Sequence, residues 1–283
     1  MPNTQLQALA QTLEQAQQSG DKHIEAQTHA KLGEILLSHS AYFEAFQHYH
    51  QAISLFNEQG LKKQQAQALN HLAIIKIMTQ RPQEALEDLE SALVIAQSLE
   101  DDTLQFAIYG NLGLAYSSLE DYIKAVKFHK KVMNASIDLK DKQMQLQAQI
   151  NLADAFLQDK REPQALGFAL VAHDLAQELK SKASLVIIFD LLGSIYSRKK
   201  DLRTAIDYHQ KAIDLAWEIG DPHRQAIALA NKALALEALT ETDEAHKAMQ
   251  GAHTLFKMLN SEYTTKTTKD LARIRKALDG EEV

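Results

Sequence analysis

Apolar residues recur along this chain at helical spacing, in segments separated by short polar breaks. Ala26, Leu32, Ile35 and Leu36 mark one segment, and Phe43, Phe46, Tyr49, Ile53 and Phe56 mark the next. Both lie close to the 3.6-residue period of an amphipathic helix. One kind of break is polar, as at 38–41 and 79–82; Pro82 and Pro163 fall at it or just after it, where a helix's first turn tolerates proline. The other kind carries Gly20-Asp21, Gly60, Asp101, Asp141 and Gly220-Asp221, which read as a helix stop followed by an N-cap. Two segments and their breaks make a helix hairpin.

The hairpin repeats every 40 residues. Leu32, Leu72, Leu112, Leu152 and Leu192 hold the register, and Lys232 breaks it. The next position alternates as Gly33, Ala73, Gly113, Ala153, Gly193 and Ala233. Twelve further on, Ala45, Ala85, Ala125, Ala165, Ala205 and Ala245 form a series without exception. A fixed period of this length means an array of stacked units, because one hairpin alone leaves an apolar face uncovered. The small residues let two backbones approach. The spacing predicts Gly or Ala on the first helix opposite Ala on the second, with Leu112, Tyr116 and Phe128 filling the flanks.

These Leu-Gly/Ala pairs, the aromatic three later (Tyr116, Phe156, Tyr196) and the Ala series resemble the tetratricopeptide repeat over roughly residues 22 to 260. The usual repeat is ~34 residues, whereas this one is 40 and lacks the proline that ends the second helix. It is therefore similar to the longer-repeat subgroup of kinesin light chains, spindle-orientation adaptors and bacterial peptide-sensing regulators. The resemblance implies an all-α, right-handed α-solenoid of six helix-hairpin repeats over 21–260 with a flanking helix at each end. Residues 1–20 align with a second helix, Leu6 with Phe46, Leu9 with Tyr49 and Leu13 with Ile53, and form a capping half-repeat. Residues 261–283 supply a solvating helix, striped by Leu271, Ile274 and Leu278, and an acidic tail.

In that family the first helices line a concave groove. Carried over by register, Lys31, His71, Asn111, Asn151, Leu191 and Asn231 face it. The expected groove residues are Gln67, Asn70, His71, Asn111, Leu114, Gln147, Asn151, Asp154, Asp190, Ser194, Arg198 and Asn231. Asn111, Asn151 and Asn231 make a ladder that either grips a peptide backbone or ties neighbouring helices together, since an amide both donates and accepts. The Lys/Arg clamp with which chaperone cofactors hold a terminal carboxylate is not expected, because only Lys31 and Arg198 are basic and they lie several repeats apart.

Composition narrows the function. The 283 residues carry a net charge of −7, which argues against a nucleic-acid partner. The basic Lys124, Lys127, Lys130 and Lys131 and the acidic Glu84, Glu87, Asp88 and Glu90 read as solvated faces that attract across neighbouring repeats. No cysteine is present, which removes disulfides and thiolate chemistry and fits a reducing compartment. No apolar run approaches the ~18 residues of a membrane span, and the N-terminus lacks a signal-peptide pattern; the expected location is cytoplasmic, with no membrane partner. No phosphate-cradling loop or HExxH, DxDxDG or GxSxG motif appears. His129 and His209, at one repeat position, read as packed in the seam rather than as metal ligands. No catalytic residue, metal or cofactor is expected. The leading expectation is a non-enzymatic scaffold holding another protein or an extended peptide segment. The alternatives are a regulatory or sensory module of a larger signalling system and a structural protein that self-associates as a homo-oligomer.

Overall fold

The computed structural model describes residues 2–278; the expected acidic tail, with Asp279, Glu281 and Glu282, lies outside them. The described residues form fourteen helices and no strand, in two compact units. In the first, residues 1–138, α1 (Pro2–Ser19) precedes three hairpins: α2 (Lys22–Ser38) with α3 (Tyr42–Glu58), α4 (Lys62–Met78) with α5 (Pro82–Ser98), and α6 (Asp102–Ser118) with α7 (Tyr122–Asp138). In the second, residues 139–283, the hairpins are α8 (Lys142–Gln158) with α9 (Glu162–Glu178), α10 (Lys182–Arg198) with α11 (Leu202–Ile219), and α12 (Pro222–Ala238) with α13 (Thr242–Met258), followed by α14 (Tyr263–Leu278). Within each unit every helix packs on its sequence neighbour. The first helices of successive hairpins also touch directly, α2 with α4, α4 with α6, α8 with α10, and α10 with α12. Each unit is thus a piece of α-solenoid.

One turn recurs at every helix end. The residues at 20, 40, 60 and each twentieth position to 260 all have positive φ. Only Gly20, Gly60 and Gly220 are glycine; the others include Ser40, Glu100, Lys160, Lys180 and Asn260. At 20–120 and 160–260 the bonding is that of a Schellman stop. Ser40 N–H donates to the Leu37 carbonyl at 3.0 Å and Ala41 N–H to Leu36 at 2.9 Å; Lys180 N–H donates to Gln177 at 3.1 Å and Ser181 N–H to Ala176 at 2.9 Å. The next helix is then capped by a side chain where the sequence supplies one. Asp21, Asp101, Asp141, Asp201 and Asp221 each accept from a backbone N–H in the first turn that follows. Pro82 and Pro163 sit in the first turns of α5 and α9.

The Ala series is fully buried at all six positions. What the glycines face differs from the expectation. A Cβ on Gly113 would lie 2.3 to 2.7 Å from the His129 ring, one on Gly193 2.6 to 2.8 Å from the His209 ring, and one on Gly33 2.9 Å from the Tyr49 ring. The partner is therefore the ring sixteen residues on, not an alanine. Where the first helix carries Ala73, Ala153 or Ala233, the residue sixteen on is Leu89, Ala169 or Met249, never a ring. The pair conserves volume: no Cβ where a flat ring enters, a Cβ where it does not.

The aromatic that follows stacks across the same hairpin. Tyr116 on Phe128, Phe156 on Phe168 and Tyr196 on Tyr208 have centroids 5.6, 5.3 and 5.5 Å apart and interplanar angles of 4°, 13° and 8°. In the second hairpin the same two positions hold Lys76 and Asp88, paired at 2.6 Å. The acidic run thus meets its base within its own hairpin rather than in the next repeat, and Lys124 of the basic run pairs with Asp121 of its own turn at 2.9 Å.

Two stability outcomes follow. Lys180→Gly relieves a left-handed side-chain residue and should stabilise the protein by ~0.5–1 kcal/mol after the extra freedom of the unfolded chain is counted. Gln177→Gly, one turn earlier inside α9, should instead destabilise by ~1 kcal/mol; urea midpoints of the two variants should move in opposite directions. Gly113→Ala should cost ~1–3 kcal/mol by driving a methyl into the His129 ring. Adding His129→Leu rebuilds the Ala73–Leu89 pair of the second hairpin and should recover most of that loss, a coupling above ~1 kcal/mol. Additive effects in a thermal double-mutant cycle would refute the pairing.

Candidate functional site

The second unit holds an open cavity of about 950 Å³, walled mainly by the first helices α8, α10 and α12. Those helices face it because each is packed on its own hairpin partner along one side, and α10 also on α8 and α12. The remaining stripe falls once per turn at fixed register, and it supplies Gln147, Asn151, Asp154, Asp190, Ser194, Arg198 and Asn231. Ile150, Leu157, Ile187, Leu191, Ile227 and Leu234 give the wall its apolar part. The cavity also takes Lys200, Arg224, His209 and Tyr263, which the groove-facing stripe alone does not point to. Lys200 is a left-handed turn residue and Arg224 lies in the first turn of α12, so both come from helix ends. Basic groups are thus less sparse here than the sequence suggested.

A bonded chain of three side chains crosses this cavity. His209 Nδ1 and Asp190 Oδ1 are 2.7 Å apart, and Asn231 Nδ2 donates to both Asp190 oxygens at 3.1 and 3.0 Å. The His209 side chain is 1% exposed and Asp190 21%. The links join α10, α11 and α12. At the C-terminal ends of the first helices, Arg198 donates to Gln158 Oε1 at 3.1 Å, across one repeat, and Gln158 Nε2 donates to Asp154 at 3.2 Å. Asp154 opens to the cavity but is walled by protein. Desolvation raises its pKa above the usual carboxylate range, against the opposing Gln158 hydrogen bond and the Arg198 charge. Asn151 accepts from Gln147 Nε2 at 2.9 Å within α8.

In the first unit, Asn111 Nδ2 donates to Asn70 Oδ1 at 2.8 Å, linking α6 to α4 as Asn231 links α12 to α10. All three ladder asparagines therefore have a partner inside the protein. Gln67 and His71 line a second cavity, of about 480 Å³, with Lys31, Glu34 and Tyr49. There the rings of Tyr49 and His71 stack at 5.3 Å and 3°, and neither the Tyr49 hydroxyl nor His71 Nδ1 has a hydrogen-bond partner. Burial pushes the tyrosine pKa up and the histidine pKa down. Leu114 is 38% exposed and borders neither cavity.

His129 and His209 share a repeat position but not a fate. Both rings are 1% exposed and both press on a glycine. His209 has Asp190; the equivalent residue for His129 is Gly110, and His129 Nδ1 has no partner. Burial alone depresses the His129 pKa to about 4. Elsewhere, His29 and His48 share a 2.9 Å contact between their Nδ1 atoms. Among the described residues no three His, Asp or Glu side chains converge as a metal set, and no helix is long and apolar enough to cross a membrane.

Comparison with known proteins agrees with this geometry. Residues 64–138 and 188–222 match the tetratricopeptide repeat family. The chain is 25% identical over 175 residues to "Tetratricopeptide repeat protein 29" of Trypanosoma brucei brucei (strain 927/4 GUTat10.1), covering 60% of this chain and 36% of that protein. Among solved structures it is similar to the quorum sensor NprR in complex with its cognate peptide NprX (TM-score 0.73, 16% identity, 99% of this chain, 85% of that one). It is also similar to a Rap protein complexed with competence and sporulation factor (0.67, 15%, 92% and 77%). A third is a signal transduction ATPase with a tetratricopeptide repeat sensor from Pyrococcus horikoshii (0.70, 16%, 91%), of which this chain spans only 40%.

The buried histidine gives a pH signature. Its folded pKa, about 4, lies below the unfolded value of 6.5, so the unfolded chain takes up the proton first as pH falls. Stability should therefore drop between about pH 6.5 and pH 4, by up to ~3 kcal/mol from this group. The Gly113→Ala/His129→Leu double variant should lose less between pH 7 and pH 4.5 in thermal scans; an equal loss would assign the acid sensitivity elsewhere.

Proposed function

We propose that this chain, which is built of tetratricopeptide repeats, is a non-enzymatic binding scaffold whose first helices hold an extended segment of another protein or peptide. The cavity of the second unit carries this reading. It is open, its apolar wall is interrupted by amide, hydroxyl and a few charged groups, and its one histidine is already bonded to Asp190. Such a lining suits a peptide backbone with small or aliphatic side chains better than a compact small molecule. An asparagine amide has more donor and acceptor capacity than one bond uses, so Asn151 and Asn231 retain groups for a ligand after bracing their helices.

A second reading is a sensory module of a larger system. The similar folds of a quorum sensor with its cognate peptide and of a signal transduction ATPase with a tetratricopeptide repeat sensor favour it. Both readings use the same groove and a peptide ligand. They differ in what the bound state does.

Peptide selection from a displayed random library against the purified protein tests the common part. Replacing Asn111, Asn151 and Asn231 by Ala should weaken selected peptides by about 10- to 1000-fold at ~0.5–1.5 kcal/mol per lost bond, if the effects add. The internal bonds of Asn111 and Asn231 predict a fall in melting temperature as well. A fall in melting temperature with unaltered affinity of the folded protein would confine the asparagines to bracing, and failure to select any peptide would end the scaffold reading.

A further inference from the structure

We propose that the outer faces of α5 and α7 form a self-complementary surface, through which two copies of this chain pair about a two-fold axis. The acidic stripe on α5 of each copy meets the basic stripe on α7 of the other.

The two stripes occupy one register. Glu84, Glu87 and Glu90 are exposed on α5, and forty residues on Lys124, Lys127 and Lys130 are exposed on α7. Steps of three residues keep each set along one side of its helix. α5 carries no lysine or arginine, and α7 carries no acidic residue before Asp138. The two are second helices of adjacent hairpins in one compact unit and both pack on α6, so the stripes run side by side in one direction. The protein leaves them largely unneutralised. Among the described residues Glu87, Glu90 and Lys127 enter no ion pair. Glu84 and Lys124 pair only within their own turns, with Arg81 at 3.5 Å and Asp121 at 2.9 Å.

Charge and symmetry together name the occupant. Two facing copies can be related by an axis that runs across the helices or along them. An axis across them sets α5 on α5 and α7 on α7, like charge on like. An axis along them, midway between α5 and α7, sets Glu84, Glu87 and Glu90 opposite Lys124, Lys127 and Lys130 of the second copy. The match is made twice, because a two-fold contact is isologous. Register is kept because residues forty apart stand at the same height on their helices. The same axis brings Val94, 66% exposed, within a turn of Ile137 of the second copy, 53% exposed. Large aliphatic groups left in water on both stripes gain from that contact. A purely acidic partner fits α7 and is repelled by α5, and a purely basic one the reverse. A partner must carry both signs at this spacing, and the chain itself does.

The experiment exchanges the charges. Glu87→Lys/Glu90→Lys makes both stripes basic, and Lys127→Glu/Lys130→Glu makes both acidic. These positions are exposed, so circular dichroism and melting temperature should report an intact fold for each variant. Light scattering and sedimentation of the full chain, at about 100 µM protein and about 0.05 M salt, should show the wild type dimerising with a Kd of about 1–100 µM. Added salt should weaken that dimer by screening the contact. Each variant alone should dimerise at least ~100-fold more weakly. Mixed in equal amounts, the two variants should form a heterodimer, since each supplies the charge that the other lacks. A chain carrying all four exchanges should dimerise again. A wild type that stays monomeric under these conditions overturns the proposal and leaves the stripes to another protein. A dimer that persists in both variants, or a mixture of them that stays monomeric, overturns the surface.

Discussion

A left-handed residue at every twentieth position, from 20 to 260, sets the period on which the rest of the structure depends. It stops each helix after about the same number of turns, and at 20–120 and 160–260 it reverses the chain with the same two hydrogen bonds, so side chains forty residues apart within a unit meet equivalent surroundings. Most of these residues are not glycine and bear some strain. The strain is tolerated because the turn satisfies carbonyls that would otherwise be orphaned at each helix end, and because packing on both neighbouring helices leaves the chain no competing exit.

With the period held, chemistry can change at a fixed place without disturbing the next repeat. The seam between paired helices is an aromatic stack at Tyr116–Phe128, Phe156–Phe168 and Tyr196–Tyr208, and an ion pair at Lys76–Asp88. Burial raises the Asp88 pKa and Lys76 works against that rise, so the pair depends on both partners. The surface repeats in the same way. Lys142–Glu178 recurs forty residues on as Lys182–Glu218. Exposed pairs of this kind add little each, but they show how strictly geometry is copied.

The hairpins, their register and their caps were legible because they depend on local signals at fixed spacing: apolar period, Gly or Asp at a break, an unbroken Ala series. The left-handed turns at Lys140, Lys160, Lys180 and Lys200 were not, since lysine has no preference for that conformation and the tertiary packing imposes it. The partner of Gly113 was misplaced for a related reason. Which residue lies across a helix pair is fixed by crossing geometry, and the sequence gives only spacing along each helix. Nor does the unbroken register announce the division into two compact units at 138/139. Of the groove residues, those inherited from register, Gln147 through Asn231, do gather at one cavity, whereas Lys200 and Arg224 reach it from helix ends outside the register column.

The ladder asparagines show why bracing and binding need not compete. Asn231, Asp190 and His209 lock three helices of the second unit at the cavity wall, so a ligand there meets groups already ordered and spends less of its binding energy on arranging them. Asn111 and Asn70 brace α6 against α4 by the same step of the register, but with two amides and no acid. The acid is missing because the residue that would supply it to His129 is Gly110. A single substitution of glycine for a carboxylate at one register position thus leaves one buried histidine bonded and the other not, on a backbone that the turns keep the same.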